Sequence, residues 1–208
     1  MSKNLLYYVY DPMCSWCWGY RDTWLELQEK LEKVVAIKPV LGGLAEDSDE
    51  AMPEQMQLFL QQTWQKISQQ LGAQFNFDFW TQCQPKRSTY PACRAIVFAR
   101  QYQKEQAMCL AIQQAYYLQA QNPSDVATLT DIAAAIGLDR NLFSEQLNSE
   151  RLKQQLRSEI AMVRALPIQG FPSLVLAVDG DLYPIRLDYK NCQTSYDAIV
   201  AILTKNES

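Results

Sequence analysis

The stretch that decides the fold is YVYDPMCSWCWGY, Tyr8 to Tyr20. Cys14 and Cys17 are separated by two residues, after a short aromatic run and an Asp11-Pro12 break. The run Leu5 to Tyr10 reads as a buried central strand. Beyond the cysteines, Trp24, Leu27 and Leu31 recur at helical spacing with charges between them. The pair therefore falls where a strand hands over to a helix. Residues i and i+3 at a helix start share a face, so their sulfurs can approach bonding distance without backbone strain. The unpaired amides and the positive end of the dipole stabilise a thiolate on the first cysteine. The expected roles follow: Cys14, at the exposed end, attacks a disulfide, and Cys17, one turn in, resolves the mixed disulfide.

The composition narrows the alternatives. The chain has no histidine, which removes Ser-His-Asp triads, Cys-His dyads and HExxH zinc sites. Any chemistry must run on thiols, carboxylates, amines, hydroxyls or backbone dipoles. A net charge of -4 without a dense Lys/Arg cluster argues against a nucleic-acid surface. No apolar stretch is long enough for a membrane span. MSKNLLYYVYDP carries too short an apolar run for a secretion signal and no small-residue cleavage site. The expectation is a cytoplasmic protein whose thiols are kept reduced. Cys83, Cys93, Cys109 and Cys192 are scattered and read as small buried or half-buried hydrophobes. A zinc site lacks a second CxxC to complete it, so no metal is expected.

Outward from the pair, VVAIKPVLGG supplies a second strand and a turn, completing a βαβ unit. From about Pro53 to Leu166 the chain turns rich in Gln, Ala and Leu. MPEQMQLFLQQTWQKISQQLG places Met56, Phe59, Leu60, Trp64 and Ile67 on one helical face and stops at Gly72. Four more stretches read as helices, the last being a single run from Arg140 to Leu166. GFPSLVLAVDGDLYPIRLD then reads as two strands joined at Asp179-Gly180-Asp181, and SYDAIVAILTK as a closing helix. The fold class is α/β: a βαβ…ββα frame (1–48 and 167–208) interrupted by an all-helical insert (49–166).

With YDPMCSWCWGY, LGGL at Leu41 to Leu44, TYPACRA at Thr89 to Ala95 and GFPSLVL at Gly170 to Leu176, the chain resembles the DsbA-type branch of the thioredoxin superfamily. More closely it resembles the cytosolic FrnE-like proteins, a group of protein-disulfide-isomerase type. The resemblance implies a thioredoxin fold with a helical domain between its halves, and a thiol-disulfide oxidoreductase. It places Cys14 at the nucleophile, Cys17 at the resolving cysteine and Pro172 at a cis-proline beside them. It puts Phe171 where the backbone touches substrate. Ser15 and Trp16 stand where DsbA has Pro-His, so a less extreme thiolate and a more reducing couple are expected. Arg21 replaces the flanking glutamate of DsbA, which leaves the proton acceptor for Cys17 open.

Asp11 is the nearest acid, and reads equally as a proton relay or as a cap of the turn before the helix. Ser15, Trp16 and Trp18 are candidate substrate-binding residues, Trp16 as an exposed apolar platform, whereas Trp24 reads as core. Thr89, Tyr90 and Arg94 either face the site across the junction or pack the insert, and packing is favoured for Tyr90. Expected partners are disulfide-containing proteins or small molecules, with glutathione or a thioredoxin-type system for recycling; neither nucleic acid nor membrane is among them. No tightly bound cofactor is expected, glutathione being a ligand or reductant. Two rival readings remain. One is a glutathione-dependent transferase or isomerase resembling the kappa-class or 2-hydroxychromene-2-carboxylate isomerase groups, which usually carry serine where Cys14 stands. The other is a non-enzymatic holdase-like or adaptor protein with vestigial cysteines.

Overall fold

The computed structural model describes residues 4–206; the first three and last two residues of the frame assigned from sequence lie outside the described residues. Strand β1 (Leu5–Tyr10) leads into α1 (Ser15–Leu31) and β2 (Ala36–Leu41). Seven helices follow: α2 (Glu54–Leu71), α3 (Phe79–Gln82), α4 (Tyr90–Arg100), α5 (Glu105–Tyr117), α6 (Val126–Ala135), α7 (Arg140–Gln146) and α8 (Glu150–Arg164). The chain then returns through β3 (Ser173–Val178) and β4 (Asp181–Ile185) to α9 (Cys192–Asn206).

The four strands form one sheet in the order β2-β1-β3-β4, parallel between β1 and β2 and antiparallel elsewhere. Tyr7 pairs with Lys38 on one side and Val175 on the other, so β1 is an interior strand. Both edge strands carry a proline, Pro39 in β2 and Pro184 in β4, where a missing N–H is tolerated and further pairing is discouraged. Asp179 (φ 51°) and Gly180 (φ 99°) join β3 to β4; positive φ at both positions suits the twist of a two-residue hairpin. Alternation along β1 divides the sheet's two faces. Tyr8 stacks on Trp24 of α1 at 4.0 Å between ring centroids. Val9 instead packs with Val40 and with Val163 of α8.

Two readings of the insert need correction. The run from Arg140 to Leu166 is two helices, because Ser149 caps α8 by accepting from Leu152 N–H. A serine side chain competing for backbone amides favours a fresh start over a continuous helix. The apolar stripe of α2 is buried only at Trp64 and Ile67, while Phe59 is 59% exposed. The reason is local: α1 approaches α2 at Gly19, against Ile67 and Leu71 in the C-terminal half of α2. Short α3 was not legible in the sequence pattern. A single core cluster runs from Leu203 and Ile199 on α9 through Leu6 and Tyr8 to Trp64, Ile96 and Phe143 in the insert.

Candidate functional site

The end of β1 builds the start of α1. Asp11 Oδ1 accepts from Met13 N–H at 2.8 Å, and its carbonyl accepts from Cys14 N–H at 3.0 Å. This side-chain turn stops the strand and launches the helix. Cys14 is the N-cap residue, with extended backbone, and Cys17 lies within the first turn. The Cys14 Sγ donates to the carbonyl oxygen of Phe171 at 3.5 Å. The Phe171–Pro172 peptide is cis, and Pro172 is buried at the head of β3. Gly42 lies under this loop, where any Cβ would overlap the Phe171 ring.

Cys14 is only 7% exposed, which corrects the expectation of an exposed end; the Phe171 carbonyl lies over its sulfur. Cys17 is buried against it, and both are free thiols. Burial pushes the Cys17 thiol well up, and its hydrogen-bond contact with Cys14 adds to that. A hydrogen bond from the Asp11 backbone amide acts in the opposite direction. A mainly apolar cleft of about 260 Å³ between α1 and α5 also reaches Cys17, lined in addition by Tyr8, Tyr10, Trp24, Glu105 and Cys109. Cys14 does not line it.

Asp11 is fully buried. Burial raises its carboxyl, and four donors work against that rise. Beyond Met13, its Oδ2 accepts from Leu44 N–H at 2.8 Å, Thr89 Oγ1 at 2.7 Å and Cys93 Sγ at 3.6 Å. Asp11 thus caps the turn, as one of its two readings held, and its charge also acts on Cys17.

The flanking residues separate clearly. The buried Ser15 hydroxyl accepts from Trp64 Nε1 at 2.9 Å, so it ties α1 to the insert and points inward. Trp16 is half-buried, edge-on to Tyr189, with Lys66 Nζ 5.7 Å from its ring centre. It is a partly covered surface, where an exposed platform was expected. Trp18 stacks on Tyr117 and donates to Gln74 O at 3.0 Å, another tie to the insert. Of the three insert candidates, Thr89 reaches the site through Asp11. Arg94 is buried among Asp47, Leu147 O and Asn148, and Tyr90 sits beside Gly43. Sequence reasoning missed Cys93, Trp64 and Tyr189. Thr89 and Cys93 are one turn apart at the start of α4, and that spacing was the available signal for Cys93. Among the described residues, no group of three or more Cys, Asp or Glu side chains is placed to hold a metal, and no helix is long and apolar enough to cross a membrane.

A βαβ…ββα frame with a helical insert, a cysteine pair at the head of α1 and a cis-proline loop facing it define a DsbA-like protein of the thioredoxin superfamily. A family model described as thioredoxin matches residues 7–199, and the chain belongs to that family. A candidate protein disulfide isomerase from Nitrosomonas europaea superposes with a TM-score of 0.84 at 25% identity, covering 98% of this chain and 99% of that one. The cytosolic disulfide reductase DsbM from Pseudomonas aeruginosa gives 0.72 at 23% identity, covering 97% and 98%; DsbM is also known with glutathione. Among curated proteins, the ClpXP adapter protein SpxH of Halalkalibacterium halodurans is 24% identical over 182 residues, 84% of this chain. The chain spans 59% of that relative's length.

Proposed function

We propose that the protein is a thiol-disulfide oxidoreductase of reductase or isomerase type, acting in the cytoplasm on protein or small-molecule disulfides. One observation carries this reading: Cys14 Sγ sits at the head of α1, against Cys17 and 3.5 Å from the Phe171 carbonyl beside Pro172. The Cys14 thiolate attacks one sulfur of the substrate disulfide. The substrate S–S bond breaks, a mixed disulfide forms at Cys14, and the leaving thiolate takes a proton from water. Cys17 then gives its proton to Asp11 and attacks Cys14 Sγ, which releases the second substrate thiolate. Two electrons pass from the enzyme dithiol to the substrate. A thiol reductant, glutathione or a thioredoxin-type protein, returns the Cys14–Cys17 disulfide to the dithiol.

Phe171, whose backbone carbonyl lies beside Cys14, is the substrate-facing group of the loop, and Tyr189, edge-on to Trp16, lies near the two cysteines. The test is reduction of insulin disulfides with a thiol reductant, comparing wild type with Cys14→Ser. Turnover should vanish in the variant; an unchanged rate removes Cys14 from the mechanism. Equilibration in graded thiol buffers should give a reversible couple between roughly -180 and -270 mV.

A second reading, an adaptor that binds other proteins, is favoured by the SpxH relatives and by exposed Leu58 and Phe59 on α2. It predicts partner binding that survives replacement of both Cys14 and Cys17.

A further inference from the structure

The head of α4 belongs to the insert, yet two of its side chains end on the acid beside the redox pair. Thr89 Oγ1 accepts from Ala45 N–H at 3.2 Å, and its own proton goes to Asp11 Oδ2 at 2.7 Å in preference to Ala45 O at 3.4 Å. Cys93, completely buried, aims its thiol at the same oxygen. With Leu44 N–H, Oδ2 receives three donors, whereas among the described residues Oδ1 receives Met13 N–H alone. A carboxylate oxygen accepts about two hydrogen bonds well, so Oδ2 is saturated and Oδ1, bonded by the Met13 amide just before α1, retains a lone pair.

We propose that Thr89 and Cys93 are positioning residues for the resolving step: by occupying Oδ2 they leave Oδ1 as the atom that takes the proton of Cys17. The inference rests on the oxidoreductase reading and on Asp11 as proton acceptor. It gives a role to a buried thiol that has no part in disulfide exchange itself. The ionisable groups acting on Asp11 or sensing its charge are Cys17 on α1, Cys93 on α4, and Cys109 and Tyr116 on α5. All four are uncharged in the buried state, because burial pushes each of them up. Hydrogen bonds to the ionised carboxylate are therefore what hold its proton affinity down. Losing one makes Asp11 hold its proton to higher pH, so the resolving step needs a higher pH to start.

The experiment uses the reduced full chain and a substoichiometric chromogenic aromatic disulfide, which releases one thiolate on attack by Cys14 and a second on resolution by Cys17. The rate of the second release is followed against pH, with Cys14→Ser as the control for reaction at other thiols. Thr89→Val should move the midpoint of that profile up by about one pH unit, and Cys93→Ala by about half a unit, since a thiol is the weaker donor. Cys93→Ser should restore the wild-type midpoint. The first release should be unchanged throughout. A merely structural role would lower the melting temperature and leave the midpoint in place. If Asp11→Asn slows the second release but neither Thr89→Val nor Cys93→Ala moves the midpoint, the positioning inference is overturned while Asp11 keeps its role. If Asp11→Asn changes nothing, the proton-acceptor reading falls and the inference with it. If wild type shows no second release, the oxidoreductase reading itself is overturned.

Discussion

The heads of α1 and α4 are both helix starts whose N-cap side chains do no capping, and they meet at one carboxylate. At α1 the N-cap is Cys14, turned to the Phe171 carbonyl at the mouth of the site. At α4 the N-cap is Thr89, turned inward to Asp11 and followed one turn later by Cys93. Each helix start carries a buried cysteine and meets the backbone of a loop, Phe171 at α1 and Ala45 at α4, yet only at α1 is the group that meets it a thiol. Local sequence makes a helix start; the surface it meets decides whether that start reacts or supports.

That contrast can be broken at graded cost. The largest effect is expected from Asp11→Asn, which removes the shared carboxylate. Resolution of the mixed disulfide should slow by roughly 100-fold, the scale of a lost general base, and the Cys14 adduct should persist on mass spectrometry. Gly42→Ala comes next, because its methyl group would overlap the Phe171 ring and push the loop off Cys14. A loss of about 1–3 kcal/mol in unfolding free energy is expected, together with slower attack by Cys14. Trp64→Phe keeps most of the apolar volume but strips the donor from buried Ser15, costing about 1–2 kcal/mol in denaturant titration with little change in attack rate. The smallest effect belongs to Cys83→Ser. This half-buried thiol donates to Ala120 O at 3.0 Å, and a hydroxyl keeps that bond, so stability should stay within about 0.5 kcal/mol. A redox defect in that variant would place a third thiol in the mechanism.

The frame was legible because its signals are local and periodic. Leu5 to Tyr10, Trp24-Leu27-Leu31 and Asp179-Gly180 each state an element within a few residues, and their order defines the topology. Cys14, Cys17 and Pro172 were legible as a motif in that context. The partners of Asp11 were not, because Thr89 and Cys93 lie 78 and 82 residues away and reach it only through the docking of the insert. Phe59 misled for the related reason that helical spacing reports which residues share a face, not how far along the helix a neighbour extends. Ser149 split a continuous helical pattern because a hydroxyl can start a helix as readily as sit within one.

The unbroken core between α9, the sheet and the insert carries a consequence for how the molecule comes apart. Modules joined by thin contacts melt in separate steps, whereas elements sharing one interior lose their packing together. With Trp64 holding Ser15 and Thr89 holding Asp11 across the junction, the cysteine pair and the helices around it should melt in a single transition. Excising the insert would uncover Trp18, Gly19 and Val9, which pack on Tyr117, Ile67 and Val163, so the helices between β2 and β3 are a wall of the molecule and not an attachment to it.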